Sequence, residues 1–236
     1  MTSALFLADF DDVEVGQQVR ISGDEARHAG VKRIEIGEQV LVANGRGLGI
    51  EGPAVSVSKQ EIVVEAARVL HDEPRRSVTA VQALAKGDRA LLAVQMLTEL
   101  GATKIIAWQS DRSIVRWQGE RGDKSLAKWE ATARESAKQA RRLSIPELEF
   151  ATTKQLPAAL ESVGTVLVLH EDATAHIKEA KMGDGDVAIV IGPEGGIAPI
   201  ELEALEAVGA QAVKISNHVL RTSTAGAAAL AQLEVL

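Results

Sequence analysis

Residues 191–196 read Ile-Gly-Pro-Glu-Gly-Gly, directly after the apolar run Asp186-Val187-Ala188-Ile189-Val190, and Val219-Leu220-Arg221-Thr222-Ser223-Thr224-Ala225 follows further along the chain. Glycine lets main chain approach a ligand with no Cβ in the way, and a loop at the carboxyl end of a parallel strand is where open α/β sheets bind small molecules. Three strand ends converge if the sheet is parallel: Leu169-His170-Glu171, the stretch from Ile191 to Gly196, and Ile215-Ser216-Asn217-His218-Val219-Leu220. Main-chain N–H and C=O groups at such ends suit an adenine edge and a ribose, with Ile215 and Leu220 covering apolar faces. Arg221 delivers a cation beside them, and Thr222 or Ser223 is placed to cap the Ala-rich helix that follows. The plainer alternative is a strand-to-helix turn that needs glycine only for its dihedral angles.

A second kind of chemistry lies in the middle of the chain. Net charge is −7 overall, but it divides unevenly: −4 over residues 1–103, +5 over 104–142 and −8 over 143–236. A phosphate backbone responds to a local patch within a Debye length of about 8 Å, so the global charge does not exclude a nucleic acid. Lys124, Lys128, Arg134, Lys138, Arg141 and Arg142 fall in a helical pattern that lets several cations share a face, and Arg112 and Arg116 precede it. Arginine forks match phosphate geometry, which makes RNA or a nucleotide the natural partner; a solvated helix face is the alternative. With three Phe, three Trp and no Tyr, an aromatic platform for single strands is not expected, so recognition would rest on backbone charge and shape.

The absence of cysteine removes disulfides and thiolate metal sites. His28, His71, His170, His176 and His218 are scattered without metal-ligand spacing, and no G-x-S-x-G elbow is present. The first nine residues lack a basic start and reach acid early, no run matches a membrane span of about 18 apolar residues, and 25% charged residues is ordinary for a globular chain. The expectation is a cytoplasmic protein with no membrane and no metal.

These residues need a scaffold. Residues 1–70 show short apolar or alternating runs at Ala4–Leu7, Gln18–Ile21, Gln39–Ala43, Gly49–Val57 and Glu61–Val69, with a short helix around Asp24–Gly30. That pattern suggests a small β-barrel. Its Gly47-Leu48-Gly49-Ile50-Glu51-Gly52 has the letters of a dinucleotide fingerprint but runs into Pro53 and β-branched alternation instead of opening a helix, so a hairpin is expected. After a polar boundary at residues 71–76, strands alternate with helices. Strands are expected at Val78–Leu84, Lys104–Trp108, Glu147–Phe150, Thr165–Leu169, Val187–Ile191 and Ala212–Ile215. Helices are expected at Asp88–Leu100, Ser125–Arg142, Leu156–Val163, Thr174–Ala180, Pro199–Val208 and Thr222–Leu233. Such alternation makes an α/β fold, a mostly parallel sheet with helices on both faces.

In this order and spacing, Lys86-Gly87-Asp88-Arg89, Thr98-Glu99-Leu100-Gly101-Ala102, Arg112-Ser113, Trp129, Glu135, Gln139, Arg142-Leu143-Ser144-Ile145-Pro146-Glu147, Ile191–Gly196 and Leu220–Ala225 resemble the ribosomal RNA small subunit methyltransferase E family, within the SPOUT class of knotted methyltransferases. His28 and Val31-Lys32-Arg33-Ile34-Glu35-Ile36-Gly37 match its N-terminal domain more loosely. The resemblance implies a PUA-like β-barrel over 1–72 for RNA binding and a SPOUT methyltransferase domain over 73–236 with a deep trefoil knot. It implies a homodimer with cofactor pockets near the subunit interface, moving a methyl group from S-adenosyl-L-methionine to N3 of a uridine in 16S rRNA of the small ribosomal subunit.

On that resemblance, cofactor contacts fall at Leu169, His170, Ile191, Gly192, Pro193, Gly195, Gly196, Ile215, Ser216, Val219 and Leu220. Arg142 or Arg221 is the cation that stabilises the uridinate left when N3 loses its proton, and Glu194 orders the loop or receives that proton, the ordering role being favoured. RNA contacts are expected from Arg33, Arg89, Arg112, Lys138 and Arg141. Three other activities compete: a non-catalytic RNA-binding ribosome assembly factor, a knotted methyltransferase acting on another RNA site, and a Rossmann-type metabolic enzyme. The last lacks a glycine fingerprint in its first βα unit, Ala83-Leu84-Ala85-Lys86-Gly87-Asp88.

Overall fold

A computed structural model describes residues 4–72 and 76–233. The boundary expected at 72/73 abuts residues 73–75, which lie outside the described residues. The chain forms two compact units, Met1–Pro74 with Glu135–Ile145, and Arg75–Arg134 with Pro146–Leu236.

The first unit contains β1 (Leu5–Leu7), β2 (Gln18–Ser22), α1 (Gly23–Val31), β3 (Gln39–Ala43), β4 (Leu48–Val57), β5 (Glu61–Glu65) and β6 (Arg68–His71). The sheet order is β1-β3-β4-β5-β2, with β6 also on β4. Only β1–β3 is parallel. The apolar run 61–69 is two strands, because the Ala66 and Ala67 amides turn away to Gln17 and Glu51 carbonyls. Phe6, Ile21, Val42, Ile50, Ile62 and Val64 fill the core. The G-x-G-x-x-G stretch is a packing device. A Cβ on Gly52 would lie on the Glu65 carbonyl oxygen, and one on Gly49 would come within 2.6 Å of Leu143 Cδ2.

The second unit carries β7 (Val78–Ala83), α2 (Asp88–Glu99), β8 (Lys104–Gln109), most of α3 (Gly119–Ala140), β9 (Glu147–Thr152), α4 (Leu156–Leu160), β10 (Thr165–Leu169), β11 (Val187–Ile191), α5 (Pro199–Glu206), β12 (Gln211–Val213) and α6 (Thr222–Leu233). Its six strands are all parallel in the order β12-β10-β11-β7-β8-β9. Because side chains alternate along a strand, Val81, Ile106, Val168 and Val190 pack on Leu156, Leu160 and Leu205 of α4 and α5. The opposite face receives α2 and α6, where Gly226 meets Leu97 and Ile191.

Two elements depart from the periodic pattern. Residues 174–180 hold only a 3₁₀ turn, Ile177–Glu179, closed when the His176 ring accepts from the Lys178 amide and Glu179 accepts from the His176 amide. Helix α3 starts at Gly119 rather than Ser125, since the polar first turns offer no apolar periodicity to read.

Candidate functional site at the carboxyl edge of the parallel sheet

Register puts the three expected strand ends side by side: Leu169 pairs with Ile191 on one flank and with Val213 on the other, and Ile191 pairs with Gln82. The chain leaving that edge supplies residues 170–171, 192–196 and 214–220. β12 ends two residues earlier than expected, so Lys214 and Ile215 belong to the edge loop.

A buried relay fixes the base of the glycine loop. Gln82 Nε2 donates to Thr222 Oγ1 at 2.9 Å, and Thr222 Oγ1 donates to the Gly192 carbonyl at 2.7 Å. The Thr222 hydroxyl is therefore committed to the loop, which corrects its expected use as a helix cap. The first turn of α6 is instead closed by the Arg221 carbonyl, which accepts from the amides of Thr224 and Ala225. Further along, Gly196 has φ of +72° and donates its amide to the Pro193 carbonyl at 2.9 Å, a turn that favours glycine.

Most residues read as ligand contacts from the sequence sit on this edge. Leu169, His170, Gly192, Ile215, Ser216 and Leu220 are half-buried, Gly195 and Gly196 are exposed, and Pro193 is buried. Ile191 is different: its side chain lies beneath Gly226, so it serves packing and offers only main chain to the edge. Ser216 Oγ accepts from the His218 amide and the Ile215 carbonyl accepts from Gln232 Nε2, which shape the 214–220 loop. Val219 is 77% exposed. Glu194 and Arg221 are both exposed at the same edge.

The expected phosphate contacts separate into two groups. Arg33, Arg89 and Arg141 are exposed. Lys138 is not: its side chain is only 5% exposed and binds Glu25 at 2.8 Å and Glu135 at 3.2 Å. With its ammonium buried on these two carboxylates, Lys138 reads as a structural ion pair of the first unit. Arg112 turns its guanidinium to the Gly195 carbonyl at 3.2 Å, and Arg116 turns its own to the carbonyls of Ser110 and Asp111. Arg142 is half-buried in the first unit; burial lowers its pKa and Asp72 opposes that shift, but a guanidinium keeps its charge at neutral pH.

Sequence reasoning missed Glu201. Its carboxylate is 1% exposed and accepts from the Asp111 amide, the Thr153 hydroxyl and the Ala198 amide. The available signal was Pro199 at the first helical position with an acid two residues later, a helix-start pattern that predicts the Ala198 bond but not the two loops it also gathers. The aromatic residues form a cluster: Trp117 stacks on Phe150 with centroids 5.8 Å apart and meets Trp129 edge-on at 5.3 Å. Among the described residues there is no group of three or more potential metal ligands, and no helix is long and apolar enough to cross a membrane.

A family model described as an RNA methyltransferase domain matches residues 71–234. The chain is 40% identical over 244 aligned positions to ribosomal RNA small subunit methyltransferase E of Mycobacterium bovis, covering 100% of this chain and 93% of that protein. The protein of the same name from Bacillus subtilis is 27% identical, with 94% and 91% covered. Among solved structures, a Legionella pneumophila methyltransferase in complex with S-adenosylmethionine superposes with a TM-score of 0.84 at 27% identity, covering 100% and 98%. The Neisseria gonorrhoeae ribosomal RNA small subunit methyltransferase E, also bound to that cofactor, shares the fold with a TM-score of 0.87 at 24% identity, covering 99% and 98%.

Proposed function

The chain belongs to the ribosomal RNA small subunit methyltransferase E family, and from that premise we propose that it uses S-adenosyl-L-methionine to methylate N3 of a uridine in 16S rRNA of the small ribosomal subunit. The observation that carries this is the glycine loop at the carboxyl edge of a parallel sheet, its first carbonyl pinned by the Gln82–Thr222–Gly192 relay, with Arg221 next to the residue that pins it.

The edge fits such a cofactor. Main chain at 192–196 is free of bulky side chains on Gly195 and Gly196, and half-buried Leu169, Ile215 and Leu220 supply apolar walls. Leu169, His170, Gly192, Pro193, Gly195, Gly196, Ile215, Ser216, Val219, Leu220 and the main chain of Ile191 would hold it. When bound, its sulfonium supplies a methyl group that is already electrophilic. The protein's task is then orientation and control of one proton. Uridine N3 must lose its proton to become nucleophilic; the negative charge left on the base oxygens is stabilised by the guanidinium of Arg221 or Arg142. Exposed Glu194 orders the loop, and the proton leaves to water. Arg33, Arg89 and Arg141 meet phosphates.

The family membership supports the finer expectations as well: a trefoil knot in the second unit, a PUA-like barrel in the first, a homodimer and a cytoplasmic location. The test is methyl incorporation from labelled S-adenosylmethionine into isolated small subunits that lack the modification, followed by nucleoside mass spectrometry. N3-methyluridine is expected. A different methylated nucleoside would assign another RNA site, and cofactor binding absent together with incorporation would favour a non-catalytic assembly factor.

A further inference from the structure

We propose that Arg112 is a positioning residue for the cofactor loop, and that it leaves the Glu194–Gly195 and Gly196–Ile197 peptide units as the loop groups offered to the ligand. This rests on the assignment of that loop to S-adenosylmethionine, and it takes Arg112 out of the RNA-contact set.

Bonds across the loop alternate. Arg112 Nη1 donates to the Gly195 carbonyl at 3.2 Å and, at the long limit of a hydrogen bond, to the Ile197 carbonyl at 3.5 Å. On the other side of those same peptides, the Gly196 amide donates to Pro193 and the Ala198 amide donates to Glu201 Oε2 at 2.9 Å. Each peptide is planar, so holding its C=O and its N–H fixes the plane. The Gly195–Gly196 and Ile197–Ala198 planes are both held in this way. Among the described residues, the peptide units before and between them have no hydrogen-bond partner.

The arm that does the holding is itself braced. Arg116 donates to the carbonyls of Ser110 and Asp111 at 2.9 and 2.6 Å, and the hydroxyls of Ser110 and Ser113 are 3.0 Å apart. Glu201 Oε1 accepts from the Asp111 amide at 2.8 Å and from Thr153 Oγ1 at 2.6 Å. One buried carboxylate thus ties the turn after β8, the turn after β9 and the end of the glycine loop together. One arm of the Arg112 fork, Nη1, is already aimed at main-chain carbonyls, which sets its guanidinium against the loop.

The test compares the full-length protein with R112A, R112K and E201Q in three measurements: calorimetric affinity for S-adenosylmethionine, amide exchange of residues 192–200 without ligand, and retention of 16S rRNA over a salt series. R112A should weaken cofactor binding about tenfold, the loss of one charge-assisted hydrogen bond. It should also speed exchange at 196–198 and leave RNA affinity and its salt slope unchanged. In turnover, KM for the cofactor should rise more than kcat falls. R112K keeps one donor and should recover part of the affinity, and E201Q should speed exchange at Ala198. Unchanged cofactor affinity and exchange in R112A, with a salt slope reduced by about 0.7–0.9, would make Arg112 a phosphate contact and overturn the proposal. A wild-type protein that binds no S-adenosylmethionine would overturn both this and the function it rests on.

Discussion

Arg33 and Arg141 hold φ values of +56° and +57°, the only described residues other than glycine in that region. Both sit one position past a helix cap. The Arg33 amide bonds Gly30 and the Ile34 amide bonds Ala29; the Arg141 amide bonds Lys138 and the Arg142 amide bonds Ala137. That bond pair closes a helix with a left-handed residue, a position where glycine is usual. For an L-residue the conformation costs about 1–2 kcal/mol. Replacing arginine by glycine relieves that strain but raises the entropy of the unfolded chain by about 0.4–1 kcal/mol and gives up about 0.3 kcal/mol or more of exposed charge at a helix carboxyl end. R141G and R33G should therefore be neutral to about 1 kcal/mol more stable than wild type. R141A and R33A remove the cation and keep the strain, so each should be less stable than its glycine counterpart by about 0.5–1 kcal/mol. The melting difference between each Gly and Ala variant is then about 1–4 °C. Binding of 16S rRNA should fall equally in the Gly and Ala variants. Equal melting temperatures for the two would refute the strain argument. Glycine variants that bind RNA like wild type would refute the view that these arginines are there for phosphates.

Thr222→Val should leave the Gly192 carbonyl without its donor and Gln82 Nε2 with only the Ala83 carbonyl, costing about 1–3 kcal/mol in a urea titration and weakening S-adenosylmethionine binding, whereas Thr222→Ser should keep both bonds. Lys138→Met takes one cation from Glu25, a carboxylate 13% exposed that also accepts from the Leu7 amide, and unfolding should be easier by about 1–3 kcal/mol. The RNA salt slope should stay at the wild-type value in that variant; a decrease would return Lys138 to the phosphate contacts. Gly52→Ala drives a methyl group into the Glu65 carbonyl, so circular dichroism of the first unit should report loss of the fold at 37 °C, a result that a mere hairpin glycine would not give.

Strands of the second unit were legible because fully buried parallel strands read as unbroken apolar runs: Thr165–Leu169 and Val187–Ile191 have the expected ends. The glycine loop was legible for the same reason, since it interrupts such a run at a carboxyl end. What sequence could not supply was the use made of polar side chains at long range. Thr222 looked like a cap because local spacing favours that role, yet its hydroxyl serves Gly192, and Gln82 lies 140 residues away in sequence. Glu201 carries no long-range signal in its local pattern, although it is one of the most buried charged residues among those described. Periodicity reports which face is apolar; it carries no information on which loops a buried carboxylate will gather.

Charge counting failed in the same way, and the consequence is measurable. The basic island from Lys104 to Arg142 suggests a broad phosphate surface, but its members are engaged unequally. Lys104 pairs with Glu149 at 2.6 Å, Lys138 with Glu25 and Glu135, and Arg112 and Arg116 serve carbonyls of their own loops. Arg121, Lys128 and Arg141 are exposed without an ion pair among the described residues, as are Arg33 and Arg89 outside the island. If only these meet phosphates, log K for 16S rRNA should fall with log salt at a slope of about −3 to −5; if every cation of the island counted, the slope would approach about −7 to −9. Filter binding across a range of salt concentrations distinguishes the two. A slope steeper than about −6 would mean that cations now paired within the fold also reach RNA. A shallow slope means that the fold has already committed these cations to its own carboxylates and main-chain carbonyls.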